Sequence, residues 1–171
     1  MTKQVKPKQT PEQSYSVARG NLLLVAICTA VNLLLLILES STQFLFSAAF
    51  PSLAYLLGDV LSAQTGLATF RIAALMLGAA DILLYLLCWI FSKKHRGFMI
   101  AALVLFALDC VVFLSEFVLL EMNASFVLDV FFHAWVLWAL ISGVRAAAGL
   151  RKLERAQTGT LPENQEPPAQ A

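Results

Sequence analysis

Four polar side chains stand alone inside long apolar stretches, and their types suit proton or cation chemistry. They are Asn32, Asp81, Asp109 and His133. Asp81 is isolated, because no charged residue lies between Arg71 and Lys93 except Asp81 itself. Two carboxylates in a medium of low dielectric do not both ionise readily, so Asp81 and Asp109 are expected to share one proton, with His133 as a second acceptor. Such a set has the groups of a proton relay or a proton-coupled cation site.

The same residues support three other interpretations. Two Asp and one His match the ligand types of Mn²⁺ or Zn²⁺, although their spacing is generic and leaves the metal undefined. The two aspartates could form the acid–base dyad of an intramembrane aspartyl hydrolase, and Gly-Ala-Ala-Asp at 78–81 loosely resembles the Gly-x-Gly-Asp of such proteases. The structural interpretation is that polar side chains hydrogen-bond neighbouring helices and fix their register. The sequence therefore assigns no catalytic residue and no cofactor.

A second polar group is predicted nearer to the opposite membrane surface. Glu116 and Asp129 fall near the ends of two successive apolar segments, where they could face each other with Arg71 as a counter-ion. Asp129 and His133 are four residues apart and share one face of a helix.

Composition places these residues in a membrane protein. Of 171 residues, 59% are hydrophobic and 13% are charged, against about 45–50% and about 25% in soluble domains. This excludes a soluble or nucleic-acid-binding main body. The three cysteines lie in separate apolar segments without metal-type spacing and are expected to be packing residues.

Four segments are long and apolar enough to cross the hydrocarbon, which requires about 20 residues each. They span residues 21–38, 70–91, 97–120 and 125–144. A bilayer interior forces such segments to be helical, because every backbone amide must be satisfied within the segment. The predicted fold class is therefore all-α: an integral membrane four-helix bundle.

The four isolated polar residues fall at one predicted depth. With a rise of about 1.5 Å per residue, each lies about 18 to 19 Å from the nearest basic residue at the inner boundary of its own segment. Lipid-facing acids cost several kcal/mol each, so the four side chains are expected to point towards one another. We call Asn32, Asp81, Asp109 and His133 the polar layer.

Basic residues predict the orientation of the spans. Eleven of the twelve Lys and Arg residues fall on one side of a four-span arrangement, and Arg71 is the exception. Because Lys and Arg accumulate in cytoplasmic loops, a multi-pass cell-membrane protein with both termini in the cytoplasm is expected.

The segment between the first and second spans, residues 44–63, is apolar but interrupted by Pro51, Gly58 and Asp59. A fifth span here would move the C-terminal basic residues to the wrong side. An interfacial or re-entrant helix starting near Pro51 is predicted instead, since Pro is well tolerated in a first helical turn. It would act as a membrane-surface anchor or as a lid over a cavity.

Three regions follow from this pattern. Residues 1–18 form a cytoplasmic tail, 19–155 the four-helix transmembrane domain, and 156–171 a disordered cytoplasmic tail rich in Pro and polar residues. The fourth helix is expected to continue beyond the membrane as far as Arg155.

Residues 18–60 resemble a group of small, uncharacterised four-span membrane proteins of Gram-positive bacteria. The matching features are an Arg19-x-Asn21-Leu-Leu start, Asn32 in mid-helix, and Phe44-Leu-Phe-Ser-Ala before Pro51. The resemblance implies a bacterial protein with four spans and no known activity.

The function expected from the sequence is that of an accessory or partner-binding membrane bundle, and this interpretation is favoured over an enzyme. Its expected partners are the lipid bilayer and another membrane protein or a second copy of the chain, not nucleic acid. A small proton- or cation-coupled transporter using Asp81, Asp109 and His133 is the first alternative, and an intramembrane aspartyl hydrolase is the second.

Overall fold

The computed structural model describes residues 10–40, 47–119 and 124–158, without the side chains of 116–119, 124–126 and 158. Within these ranges the chain is all-α and contains five helices. They are α1 (Pro11–Ile37), α2 (Phe50–Thr65), α3 (Thr69–Ser92), α4 (Gly97–Leu119) and α5 (Ala124–Thr158). The predicted fold class is confirmed: α1, α3, α4 and α5 are each long and apolar enough to cross a membrane, and α2 lies between the first two of them.

Two helices extend further than the apolar pattern indicated. Helix α1 begins at Pro11, inside the predicted tail, because Thr10 and Gln13 form a capping box and Pro11 occupies the first turn. Helix α5 continues to Thr158 as a polar extension with Arg155 in its last turn. Both extensions lie at the same end of the bundle, since Pro11 packs beside Gly149. We call this the basic end.

The four long helices form a ring in which each neighbour runs in the opposite direction. Helix α1 packs between α3 and α5, and α4 completes the ring between the same two helices. The short turn at 93–96 dictates the antiparallel α3–α4 pair. A core of small and large apolar side chains fills the ring; it includes Ala18, Leu22, Val25, Met99, Phe106, Val136 and Leu140. The outer faces carry exposed Leu, Ile, Val and Trp, as lipid contact requires.

Helix α2 forms a tight hairpin with α3. It ends at Gly66, whose φ of 72° is a left-handed conformation that glycine adopts without steric cost. The buried face of α2 carries Pro51, Tyr55 and Gly58. Pro51 packs beside Gly78, and Gly58 packs beside Phe70 and Ala74, so the two helices are antiparallel.

A side chain at position 58 is expected to push α2 and α3 apart. An added Cβ would lie 2.5 Å from the Ala74 Cβ and 2.8 Å from the Phe70 carbonyl oxygen, and backbone atoms cannot move aside easily. Gly58→Ala should therefore lower the free energy of unfolding by about 1–3 kcal/mol in detergent. Gly20→Ala is the matched control, because nothing lies within 4 Å of that position, and it should be neutral or stabilising by up to about 1 kcal/mol. Equal stability of the two variants would contradict the close approach.

Candidate functional site: the polar layer and the start of α2

Each residue of the polar layer is buried, and each comes from a different spanning helix. Asn32 lies on α1, Asp81 on α3, Asp109 on α4 and His133 on α5. The structure brings Asp109 and His133 into direct contact, with 3.5 Å between Oδ2 and Nε2. Asp81 lies on α3, which packs against α4. The Asn32 side chain contacts Ser47, in the chain just before α2.

Asp109 caps the first turn of α2. Its Oδ1 accepts a hydrogen bond from the Phe50 backbone N–H at 2.8 Å, and its Oδ2 accepts one from the Ala49 N–H at 3.0 Å. A helix start leaves its first N–H groups unsatisfied, and here the N-cap residue is Ala49, which has no side-chain acceptor. The missing acceptor is therefore supplied by another helix. A carboxylate at this position also interacts favourably with the positive end of the α2 dipole.

Helix α1 holds the chain just ahead of this cap. The Thr29 hydroxyl accepts a hydrogen bond from the Ala48 N–H at 2.9 Å and donates to the Val25 carbonyl at 2.7 Å. The Asn32 side chain donates to the Ser47 hydroxyl at 2.6 Å. Thr29 and Ser47 were missed by the sequence analysis, although Thr29 lies three residues before Asn32 and so shares its helix face.

These contacts place the start of α2 at the level of the polar layer. Residues 47–51 touch α1, α4 and α3 at the level of the polar layer, whereas α2 ends at Gly66 beside the start of α3. Helix α2 therefore starts at the level of the polar layer and runs from there along α3 towards the end of the bundle opposite the basic end. Non-helical backbone at membrane depth is tolerated only where protein groups satisfy it. Asp109 and Thr29 are those groups, because they accept the backbone N–H groups of Ala48, Ala49 and Phe50.

The geometry of His133 defines where its proton lies. Nδ1 is 2.8 Å from the Asp129 carbonyl oxygen, which can only accept, so Nδ1 carries hydrogen. Nε2 then faces the Asp109 carboxylate. The ring also stacks on Phe113, with 4.2 Å between centroids, and on Phe106 at 5.6 Å. The imidazole therefore lies between aromatic faces, with its Nε2 edge towards the Asp109 carboxylate.

Several buried polar atoms around the layer have no hydrogen-bond partner among the described residues. They are Asp81 Oδ2, Tyr85 Oη, His133 Nε2 and, further along α1, Asn21 Nδ2. Tyr85 lies one turn from Asp81 on the same face of α3, and its ring is completely buried. Unsatisfied polar atoms in a membrane interior are costly, and these groups differ in this from Asp109, both of whose carboxylate oxygens accept hydrogen bonds.

Arg71, the predicted counter-ion of the second polar group, pairs with two acids that the sequence analysis did not name. Arg71 lies 3.7 Å from Glu39 at the end of α1 and 3.9 Å from Asp59 on α2, and its guanidinium lies over the Tyr55 ring at 5.6 Å. The half-buried Asp129 contributes its backbone carbonyl to His133. The side chain of Glu116 lies outside the described residues. In the described part of the chain, no group of three His, Cys, Asp or Glu side chains is placed to hold a metal ion.

Comparison with known proteins adds no relative: no family model, no curated protein and no solved structure matches the chain. Its class therefore follows from its own structure. Four apolar helices, each of membrane-crossing length, surround a buried polar layer, and the chain is a polytopic membrane protein in contact with lipid.

Proposed function

We propose that the protein acts by binding within the membrane, as an accessory bundle whose polar layer holds helix α2 for a partner. The observation that carries this proposal is the use of Asp109. Both of its carboxylate oxygens accept backbone N–H groups of α2. An aspartyl dyad would need this carboxylate for proton transfer to a substrate, so we do not propose a hydrolase.

Helix α2 offers an apolar surface suited to another membrane helix. Beside α3 it borders a groove of about 330 Å³. The groove is lined almost entirely by apolar side chains, among them Phe50, Leu53, Leu57, Leu61, Phe70 and Leu77. Because lipid chains are as apolar as these side chains, close packing rather than hydrophobicity would select a partner there. A second copy of this chain is included among the candidate partners.

The proposed location is the cell membrane, with both termini in the cytoplasm. The basic end carries Lys93, Lys94 and Arg96 in the α3–α4 turn and Arg145, Arg151, Lys152 and Arg155 along α5. Arg71 lies at the opposite end. This asymmetry favours the cytoplasmic side for the basic end.

Complex size in a mild detergent tests the partner-binding role. The chain, extracted from its native membrane, should migrate as a complex larger than one copy plus its detergent. Leu57→Ala with Leu61→Ala should reduce that complex, because both side chains line the groove. Leu83→Ala with Leu84→Ala is the matched control, since these residues are equally exposed but lie on α3 away from the groove. A chain that is monomeric in every form would contradict the proposal.

A second candidate function, proton- or cation-coupled transport, is favoured by one observation: buried polar atoms of Asp81, Tyr85 and His133 have no hydrogen-bond partner among the described residues. Half-helix ends at mid-membrane form substrate sites in transporters. A proton or small cation at Asp81 would satisfy the carboxylate that lacks a partner.

Proton flux into liposomes containing the purified chain separates the two functions. Coupled transport predicts pH- or ion-driven flux that is lost in Asp81→Asn and kept in Asp59→Asn. The Asp59 carboxylate lies beside Arg71, at the end of the bundle opposite the basic end. An accessory bundle predicts no flux in any of the three proteins. Flux that survives Asp81→Asn would contradict transport through the layer.

A further inference from the structure

The basic end contains a cleft that the polar layer and α2 do not explain. It has a volume of about 560 Å³ and lies between the start of α1, the α3–α4 turn and the extension of α5. Five Lys or Arg side chains and two Glu side chains line it. The cations are Arg19, Lys93, Lys94, Arg96 and Arg151, and the acids are Glu12 and Glu154. We call this the basic cleft.

Two of the cations already make hydrogen bonds that join helices of the bundle. Arg19 donates to the Ser92 hydroxyl at 3.0 Å and to the Trp89 carbonyl at 3.2 Å, which ties α1 to the end of α3. Arg96 makes two hydrogen bonds to Glu154, at 2.7 and 2.6 Å. The hydrogen bonds from Arg96 hold the pKa of Glu154 below its ordinary range, so this carboxylate is charged at neutral pH and neutralises Arg96.

Three cations remain available for a ligand. The side chains of Lys93, Lys94 and Arg151 line the basic cleft without a hydrogen bond or an ion pair to any described residue, although the charge of Arg151 also interacts with that of Glu154. The five Lys and Arg side chains of the cleft outnumber its two acids, Glu12 and Glu154, so the net charge of the cleft is positive. Helix α4 begins at Gly97 on the cleft wall, and the positive end of its dipole adds to the same field.

An amphipathic groove adjoins the basic cleft and shares two of its residues, Arg96 and Arg151. It has a volume of about 260 Å³ and runs between α4 and α5. Ile100, Val144 and Ala147 form its apolar part, whereas Lys152 and Arg155 extend its basic part. A ligand with an anionic head and a hydrocarbon tail would match the two surfaces together.

We propose that the basic cleft binds a phosphate group, and that in the membrane this phosphate is the head group of an anionic phospholipid. A phosphate has the charge and the several acceptor oxygens needed to engage two lysines and one arginine at once. Basic pockets between transmembrane helices at a membrane surface have this use. The lipid's acyl chain would lie along Ile100 and Val144. This site is independent of the proposed partner surface, which lies on α2.

Ligand-induced stabilisation of the full chain tests the site. The purified protein in a neutral detergent should unfold at a higher temperature when short-chain phosphatidylglycerol is added, and not when phosphatidylcholine of the same chain length is added. At about 1 kcal/mol per basic residue, Lys93→Gln and Lys94→Gln should each weaken the phosphatidylglycerol affinity about fivefold. Arg145→Gln is the control, because Arg145 is exposed on α5 but lines neither the cleft nor the groove.

Two further probes separate the sources of the phosphate. If glycerol phosphate or inorganic phosphate stabilises the chain as strongly as phosphatidylglycerol, the site is a phosphate site for a soluble ligand and the lipid part of the proposal is overturned. If only the lipid stabilises it, and Ile100→Ala reduces that effect, the lipid assignment is supported. Equal responses to both lipids, or equal affinities in Lys93→Gln, Lys94→Gln and Arg145→Gln, would overturn the site altogether.

Discussion

Alanine at Asp109 is expected to lower the free energy of unfolding by about 2–6 kcal/mol. The change removes the acceptor of two backbone N–H groups, at Ala49 and Phe50, and each unsatisfied buried donor costs about 1–3 kcal/mol. The His133 ring would also lose the carboxylate that lies 3.5 Å from Nε2. Equilibrium unfolding in mixed detergent micelles measures the effect.

The matched control is Asp59→Ala. Asp59 is an exposed acid on α2, 3.9 Å from Arg71, and exposed ion pairs contribute about 0–1 kcal/mol. Asp109→Asn should fall between the two, since an amide keeps one oxygen acceptor and loses the charge. An Asp109→Ala protein as stable as Asp59→Ala would contradict the capping role.

The same substitution should expose the start of α2. Ala48 is 1% exposed in the folded chain, so a cysteine placed there, with Cys28, Cys88 and Cys110 replaced by serine, should react slowly with a membrane-impermeant maleimide. Adding Asp109→Ala should accelerate the reaction, because the helix start is no longer held in the bundle. An unchanged rate would show that other contacts suffice.

Alanine at Asp81 should have the opposite sign and raise the free energy of unfolding by about 1–3 kcal/mol. Asp81 has the same residue type, burial and predicted depth as Asp109, yet its Oδ2 has no partner in the described part of the chain. Removing an unpaired buried polar group removes its desolvation cost, and this gain should exceed the loss of a small packing contact. The same unfolding measurement in micelles applies.

Tyr85→Phe checks that explanation without creating a cavity. The Tyr85 side chain is fully buried and its hydroxyl is also unpaired among the described residues, so removal of one oxygen should stabilise the chain as well. If both variants are less stable than the native chain, the unpaired atoms contact something that holds them in place, such as water or an ion. A stable Asp81→Ala protein that has lost flux would instead identify Asp81 as a group kept for transport at the expense of stability.

Opposite signs at two aspartates of one layer would separate the structural part of the layer from the part available for chemistry. The chain that leads into α2 is held by hydrogen bonds to Asp109, Thr29 and Asn32. In contrast, Asp81 Oδ2 and the Tyr85 hydroxyl make no hydrogen bond to a described residue. The accessory and transport functions therefore depend on different atoms, and each can be tested without disabling the other.

The number and class of the helices could be predicted from the sequence because a bilayer leaves an apolar segment no alternative to a helix. The burial of Asn32, Asp81, Asp109 and His133 was likewise expected, since lipid-facing acids and amides are costly. Pro51 and the break in hydropathy indicated an extra helix between the first two spans. None of these inferences required knowledge of any long-range contact.

Only the tertiary structure decided what the polar residues do. Asp109 binds backbone amides that lie 59 and 60 residues earlier in the chain, and no periodicity links such positions. Arg71 pairs with Glu39 and Asp59 because α2 returns alongside α3 and brings them to its end of the bundle. Hydropathy indicates which side chains must be buried away from lipid, because that cost depends only on the type of each residue. Hydrogen-bond partners are properties of pairs, and pairs are fixed only when the helices pack.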